Sequence, residues 1–165
     1  RKVTWEAIHG YKASGRTALY DAVSDALARL QKAEGRRVVV VMTDGRDENA
    51  PGSAPGSTPT LPQVLEQIRD SGATVFAIGL GTNVDERPLH QFAELSGGRA
   101  LLPREVSELS DVFQRVVEDL RRRYVVSYTS TNAEHSGEWR NVEIRLKSAP
   151  QINVRSAGGY SAPER

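Results

Sequence analysis

The run Val38-Val39-Val40-Val41-Met42-Thr43-Asp44-Gly45 constrains the fold of this chain more than any other stretch. Four consecutive β-branched residues lose rotamer freedom in a helix and suit a pleated strand. With no polar residue alternating among them, they predict a strand buried on both faces, as in a parallel sheet covered by helices on each side. The run leads through Thr43 to Asp44, and Gly45 breaks it. A carboxylate at the carboxyl end of a parallel strand stands where open α/β sheets bind their ligands. Upstream, Gly15-Arg16-Thr17-Ala18-Leu19-Tyr20-Asp21-Ala22 puts a hydroxyl at the start of a helix.

The rest of the chain alternates in the same way. From Thr17 the apolar residues Leu19, Val23, Ala26, Leu27 and Leu30 recur at three- and four-residue steps until Gly35, which predicts a helix. Residues 45–62 are rich in proline and glycine among Ser, Thr, Asp and Asn, which is loop composition. A helix is expected over 61–71, a second buried strand over 74–81, and a helix over 86–95. A short strand is expected over 99–102 and a long helix over 106–122. Strands separated by helices of this length indicate βαβ units on a parallel sheet. Then the period changes to two. Residues 123–129 and 139–147 alternate polar with apolar across a polar loop, which predicts an antiparallel hairpin with one wet face, and 152–155 is a candidate third strand. The organisation expected is an α/β unit over 1–122 and a β-hairpin extension over 123–165. Residues 3–14 read as a helical turn or a loop.

Composition excludes several function classes. Lysine plus arginine number 22 against 21 acidic residues, so the net charge of +1 gives no support for nucleic-acid binding. The Arg121-Arg122-Arg123 cluster closes a helical pattern, where cations complement the helix dipole. Without cysteine there are no disulfides, thiolate metal sites or cysteine nucleophiles. No apolar run reaches the roughly 18 residues that suggest a membrane span. His9, His90 and His135 share no ligand spacing, and no nucleophile elbow, Walker loop or complete dinucleotide fingerprint occurs.

The candidates for chemistry are therefore Thr17 and Asp44. A hard divalent cation such as Mg²⁺ takes oxygen ligands, one or two of them carboxylate, completed by hydroxyls and water. Each residue also has a plainer reading: Thr17 as a helix N-cap and Asp44 as a turn residue. Their joint spacing, with one amphipathic helix and one apolar strand between them, favours the metal. Asp47 and Glu48 add carboxylates in the loop beyond, as candidates for a partner-binding rim or simply as solvated charges.

These motifs resemble the von Willebrand factor type A domain. Gly15-Arg16-Thr17-Ala18-Leu19 is similar to the family's second metal-site motif, and Thr43-Asp44-Gly45 to its third. Ala77-Ile78-Gly79-Leu80-Gly81 looks like the family's next strand, and Leu95-Ser96-Gly97-Gly98-Arg99-Ala100 like the segment before its last. The ending, with W-R-N-V-E-I-R-L-K and a late G-G-Y, is similar to a bacterial subgroup in which a hairpin follows the domain. The resemblance implies a Rossmann-like, mostly parallel sheet flanked by helices. It also implies a metal-ion-dependent adhesion site in which Thr17 and Asp44 hold Mg²⁺, Mn²⁺ or Ca²⁺, and a partner protein offers an Asp or Glu carboxylate to the metal. The family's first motif, Asp-x-Ser-x-Ser, does not occur in the 165 residues. By resemblance it is expected upstream of Arg1, making this chain the C-terminal part of the domain, with weak metal binding alone. An exported or cell-envelope location is also implied by that subgroup.

The function expected is non-enzymatic protein binding. The alternatives are a scaffold without metal and, further off, a phospho-acceptor aspartate. The last needs acids at neighbouring strand ends and a lysine, whereas the next strand ends in Gly79-Leu80-Gly81.

Overall fold

The computed structural model describes residues 15–43, 46–49, 54–132, 137–148, 152 and 154–162. Its elements are α1 (Leu19–Leu30), β1 (Val38–Thr43), α2 (Leu61–Ser71), β2 (Thr74–Gly79), α3 (Glu86–Ser96) and β3 (Arg99–Leu101). A 3₁₀ turn (Val106–Glu108) then leads into α4 (Leu109–Arg121), and two short strands follow, β4 (Trp139–Asn141) and β5 (Gly159–Ser161). Strands β1, β2 and β3 form a parallel sheet in that order, with Val38 opposite Thr74 and Phe76 opposite Arg99. The expected α/β alternation is thus present; α1 ends at Leu30, short of Gly35, and the helix expected from 106 begins as a 3₁₀ turn and becomes α-helical at Leu109.

Strand β2 is the middle of the sheet and of the core. Val75 and Ala77 pack with Leu19, Val23 and Leu27 of α1, Val64 and Ile68 of α2, and Leu89 and Phe92 of α3. Phe76 and Ile78 point the other way, against Leu101 of β3 and Val112 and Val116 of α4. All four β2 side chains are fully buried. Three helices therefore cover one face of the sheet and one helix covers the other.

That asymmetry corrects the expectation for β1. Val39 is buried beneath α1, but Val40 and Met42, on the opposite face, are 44% and 54% exposed. Helix α4 lies over β2 and β3, and Val38 alone of β1 joins its cluster. Phe113 and Val117, on a flank of α4, are exposed as well.

The C-terminal strands also differ from the expected pairing. An antiparallel two-stranded sheet is present, but the partner of β4 is β5, with Arg140 opposite Tyr160, rather than 123–129. Two further backbone bonds, Val142 N–H to Gly158 O and Ala162 N–H to Glu138 O, extend that ladder. Residues 123–129 make no ladder with β4: Arg123 is held on the main sheet, while Tyr128 packs edge-on against Tyr160 of β5. The Arg123 guanidinium donates to Thr74 Oγ1 at 2.8 Å and to the Gly97 carbonyl, and lies 5.4 Å from the centre of the Phe76 ring. The chain beyond runs on the surface, with Tyr124, Val125, Val126 and Tyr128 exposed. Ile152 and Val154 lie outside any strand. The small sheet is docked by Ser161 Oγ on Asp70, by Arg69 stacked over Trp139, and by Arg155, which shares Asp119 with Arg99.

One buried polar side chain ties the layers together. Ser96 Oγ, at the end of α3, accepts the Val75 N–H at 2.9 Å and donates to the Phe92 carbonyl at 2.7 Å. Next to it Gly98 passes so close to β2 that a Cβ would stand 1.8 Å from the Val75 oxygen. Replacing Ser96 by Ala strands a buried amide, so a loss of about 1–3 kcal/mol is expected in denaturant unfolding.

At the small sheet, Tyr160 is drawn down to about 8 by hydrogen bonds from Tyr128, Ser130 and Arg140, while the same bond raises Tyr128. The fold thus favours the Tyr160 phenolate. Its contribution to stability is lost as pH falls through about 8 and grows as pH rises toward the ordinary tyrosine value near 10. Absorbance titration is expected to show one phenol ionising near pH 8, and Tyr160→Phe to abolish that step.

Candidate functional site

The N-terminus of α1 presents a problem that the sequence around it does not solve. The first N–H groups of a helix have no partner within it, and a Ser, Thr, Asp or Asn side chain at the N-cap commonly supplies one. Here the N-cap is Ala18, which cannot. Thr17 lies one residue earlier, so the plain reading of Thr17 as the cap does not hold.

The missing acceptors come from the β1–α2 loop, distant in sequence. Asp47, beyond the end of β1, accepts the Tyr20 N–H through Oδ1 at 3.1 Å and the Ser57 N–H through Oδ2 at 3.1 Å. Ser57 Oγ accepts the Asp21 N–H at 3.0 Å and itself donates to Asp47 Oδ1. Asp21 closes the ring by accepting the Thr58 N–H at 3.3 Å. Two carboxylates thus sit at the positive end of the α1 dipole, where negative charge is stabilised. Tyr20 packs edge-on against Phe92, and its phenol is pushed up by burial and then by the nearby Asp47 carboxylate.

Thr17 is fixed from the same side. Its N–H donates to the Glu48 carbonyl at 3.1 Å, and the Glu48 N–H returns to the Thr17 carbonyl at 3.2 Å. Gly56 passes directly over this two-way bridge, where a Cβ would lie 2.0 Å from the Thr17 oxygen. Thr43, the last residue of β1, accepts the Leu80 N–H at 2.9 Å at the carboxyl edge of the sheet. Asp44 is the next residue in the chain and lies outside the described residues.

The structure therefore brings Thr17 against the loop that carries Asp47 and Glu48. The hydroxyl of Thr17 is a hard oxygen donor of the kind Mg²⁺ takes, so it fits the group that the sequence motif implies. The Asp47 carboxylate fits that group poorly, because three protein donors already occupy it. Glu48 is half-buried and contributes its backbone to the bridge. Among the described residues no group of three or more His, Asp or Glu side chains converges.

Tyr20, Asp21, Gly56 and Ser57 were not among the sequence-derived site residues. A helix preceded by Ala rather than a cap-forming residue was the available signal. It reveals that a cap is needed but not where in the chain it comes from.

A profile of the von Willebrand factor type A domain matches residues 5–115. The chain belongs to that family, whose members are generally adhesion and protein-interaction modules. Among solved structures, proximal thread matrix protein 1 from the mussel byssus superposes with a TM-score of 0.49 at 24% identity, over 66% of this chain and 25% of that one. An uncharacterized membrane-spanning protein from Vibrio fischeri gives a TM-score of 0.42 at 19% identity, over 64% of this chain and 56% of its own. The chain thus spans a quarter of the first protein's length and just over half of the second's. No curated protein matches. Among the described residues no helix is long and apolar enough to cross a membrane.

Gly56 supplies a direct check on this geometry. Gly56→Ala drives a methyl group into the Thr17–Glu48 bridge, and a loss of about 1–3 kcal/mol is expected by thermal unfolding. Gly35→Ser, with nothing near its Cβ position, serves as the comparison; its backbone strain alone is expected to cost less.

Proposed function

We propose that this chain forms part of a metal-ion-dependent protein-binding module and is not an enzyme. The Thr17 hydroxyl and the Asp44 carboxylate would hold Mg²⁺, or Mn²⁺ or Ca²⁺ in its place. The cation, when bound, supplies an electrophilic anchor for an Asp or Glu carboxylate of a partner protein. The observation that carries this reading is the two-way backbone bridge between Thr17 and Glu48, which holds the threonine against the loop that follows β1.

The chain's own part is positioning. Helix α1 directs Thr17 from one side, and β1 delivers the loop from the carboxyl edge of the sheet on the other. The family's Asp-x-Ser-x-Ser motif does not occur in these residues, so the complete native protein is the material in which to test metal binding.

In that protein, calorimetric titration with Mg²⁺ is expected to show binding that weakens at least about tenfold in Thr17→Ala and in Asp44→Ala, on the scale of losses seen when a metal's surroundings are disturbed. Circular dichroism should be unchanged. Undiminished Mg²⁺ affinity in both variants would sink the metal reading and leave a scaffold whose binding is insensitive to chelators.

A further inference from the structure

We infer that Asp47 and Ser57 are positioning residues for Thr17, acting as a tertiary N-cap that locks the first turn of α1 to the loop after β1. The functional consequence rests on the metal-site reading above; the structural part stands on its own. Four connections converge within a few residues. Asp47 takes the Tyr20 amide, Ser57 takes the Asp21 amide, Asp47 and Ser57 bond to one another twice, and Asp21 takes the Thr58 amide. Thr17 lies immediately before this turn and is pinned to Glu48, the residue after Asp47.

The donor arithmetic separates positioning from ligation. A carboxylate accepts through about four lone-pair directions, and Asp47 already uses three of them on protein donors. Turning it toward a cation would uncover the Tyr20 and Ser57 amides. Asp47 therefore stands behind the site and shapes it, rather than forming a rim for a partner. Ser57 extends the same role into the proline-rich loop. Residues 54–58 are tied to the site through it, so a force on that loop is transmitted to the turn that carries Thr17.

Amide hydrogen exchange on the native protein, with and without Mg²⁺, tests this. Ser57→Ala is expected to speed exchange at Tyr20 and Asp21 by about tenfold, leaving Val75, Phe76 and Ile78 in the central strand unchanged. Ser57→Thr, which keeps the hydroxyl, is expected to restore protection. Asp47→Asn gives a sharper signature. One oxygen remains for the Tyr20 amide, but an NH₂ meets the Ser57 amide, so Ser57 should lose protection while Tyr20 keeps much of it. This second variant decides the matter if Ser57→Ala fails to fold. Unaltered exchange at Tyr20, Asp21 and Ser57 would overturn the inference. Mg²⁺ affinity is expected to follow the same order, several-fold weaker in Ser57→Ala and recovered in Ser57→Thr. Altered exchange with unaltered Mg²⁺ affinity would overturn the positioning role. Altered exchange in the variants, with no Mg²⁺ binding by the wild-type protein, would uphold the cap and defeat the metal-site reading instead.

Discussion

Everything in this fold depends on a strand that has no face left for water. Val75, Phe76, Ala77 and Ile78 are fully buried, two toward the layer of α1, α2 and α3 and two toward α4. A buried backbone must have its amides and carbonyls paired, because an orphaned group costs about 1–3 kcal/mol. Strand β2 meets that demand with β1 on one edge and β3 on the other, and with the Ser96 hydroxyl where β3 has not yet begun. The close passage of Gly98 follows from the same demand. The turn from α3 into β3 has to run against the Val75 carbonyl, and a side chain there would hold it away.

The two faces of the sheet are finished differently. One carries three helices, while the other carries α4 alone, held toward β3 by the Asp119 carboxylate on Arg99. Val40 and Met42 of β1 and Phe113 and Val117 of α4 are exposed. Scattered apolar residues at a surface need no explanation, but two on one face of β1 show that this face is less covered than the other. The Asp119 carboxylate has a second role, since Arg155 shares it and so fastens the last segment of the chain to α4.

At the carboxyl edge of the sheet the organising interaction is a helix cap supplied from far away in sequence. Capping side chains are usually local because a residue at the N-cap reaches its own helix at little entropic cost. A cap from Asp47 and Ser57 ties two parts of the β1–α2 loop to the helix at once. Residues 54–58, which composition marks as loop, are bonded to or packed on the surroundings of Thr17. Protein-interaction sites gain from such ordering, because a surface already held in its binding geometry loses less freedom when a partner arrives.

The α/β alternation and the parallel strands were legible in the chain alone, because they follow from periods of two and 3.6 residues that are local properties. The sequence also singled out Thr17 and placed it at the start of a helix. Tertiary structure alone decided three matters. Which strand faces are covered depends on where α4 lands, so β1 reads as buried on both sides yet has one face open. The partner of β4 is β5, with Trp139 opposite Ser161, while Arg123, at the start of the expected ladder, is bonded to Thr74 of the main sheet and to Gly97 at the end of α3. The use of Asp47 was decided by Ala18, because an uncapped helix end takes its acceptor from whatever the fold brings near. In each case the deciding contact joins residues more than twenty positions apart, a distance over which local pattern carries no information.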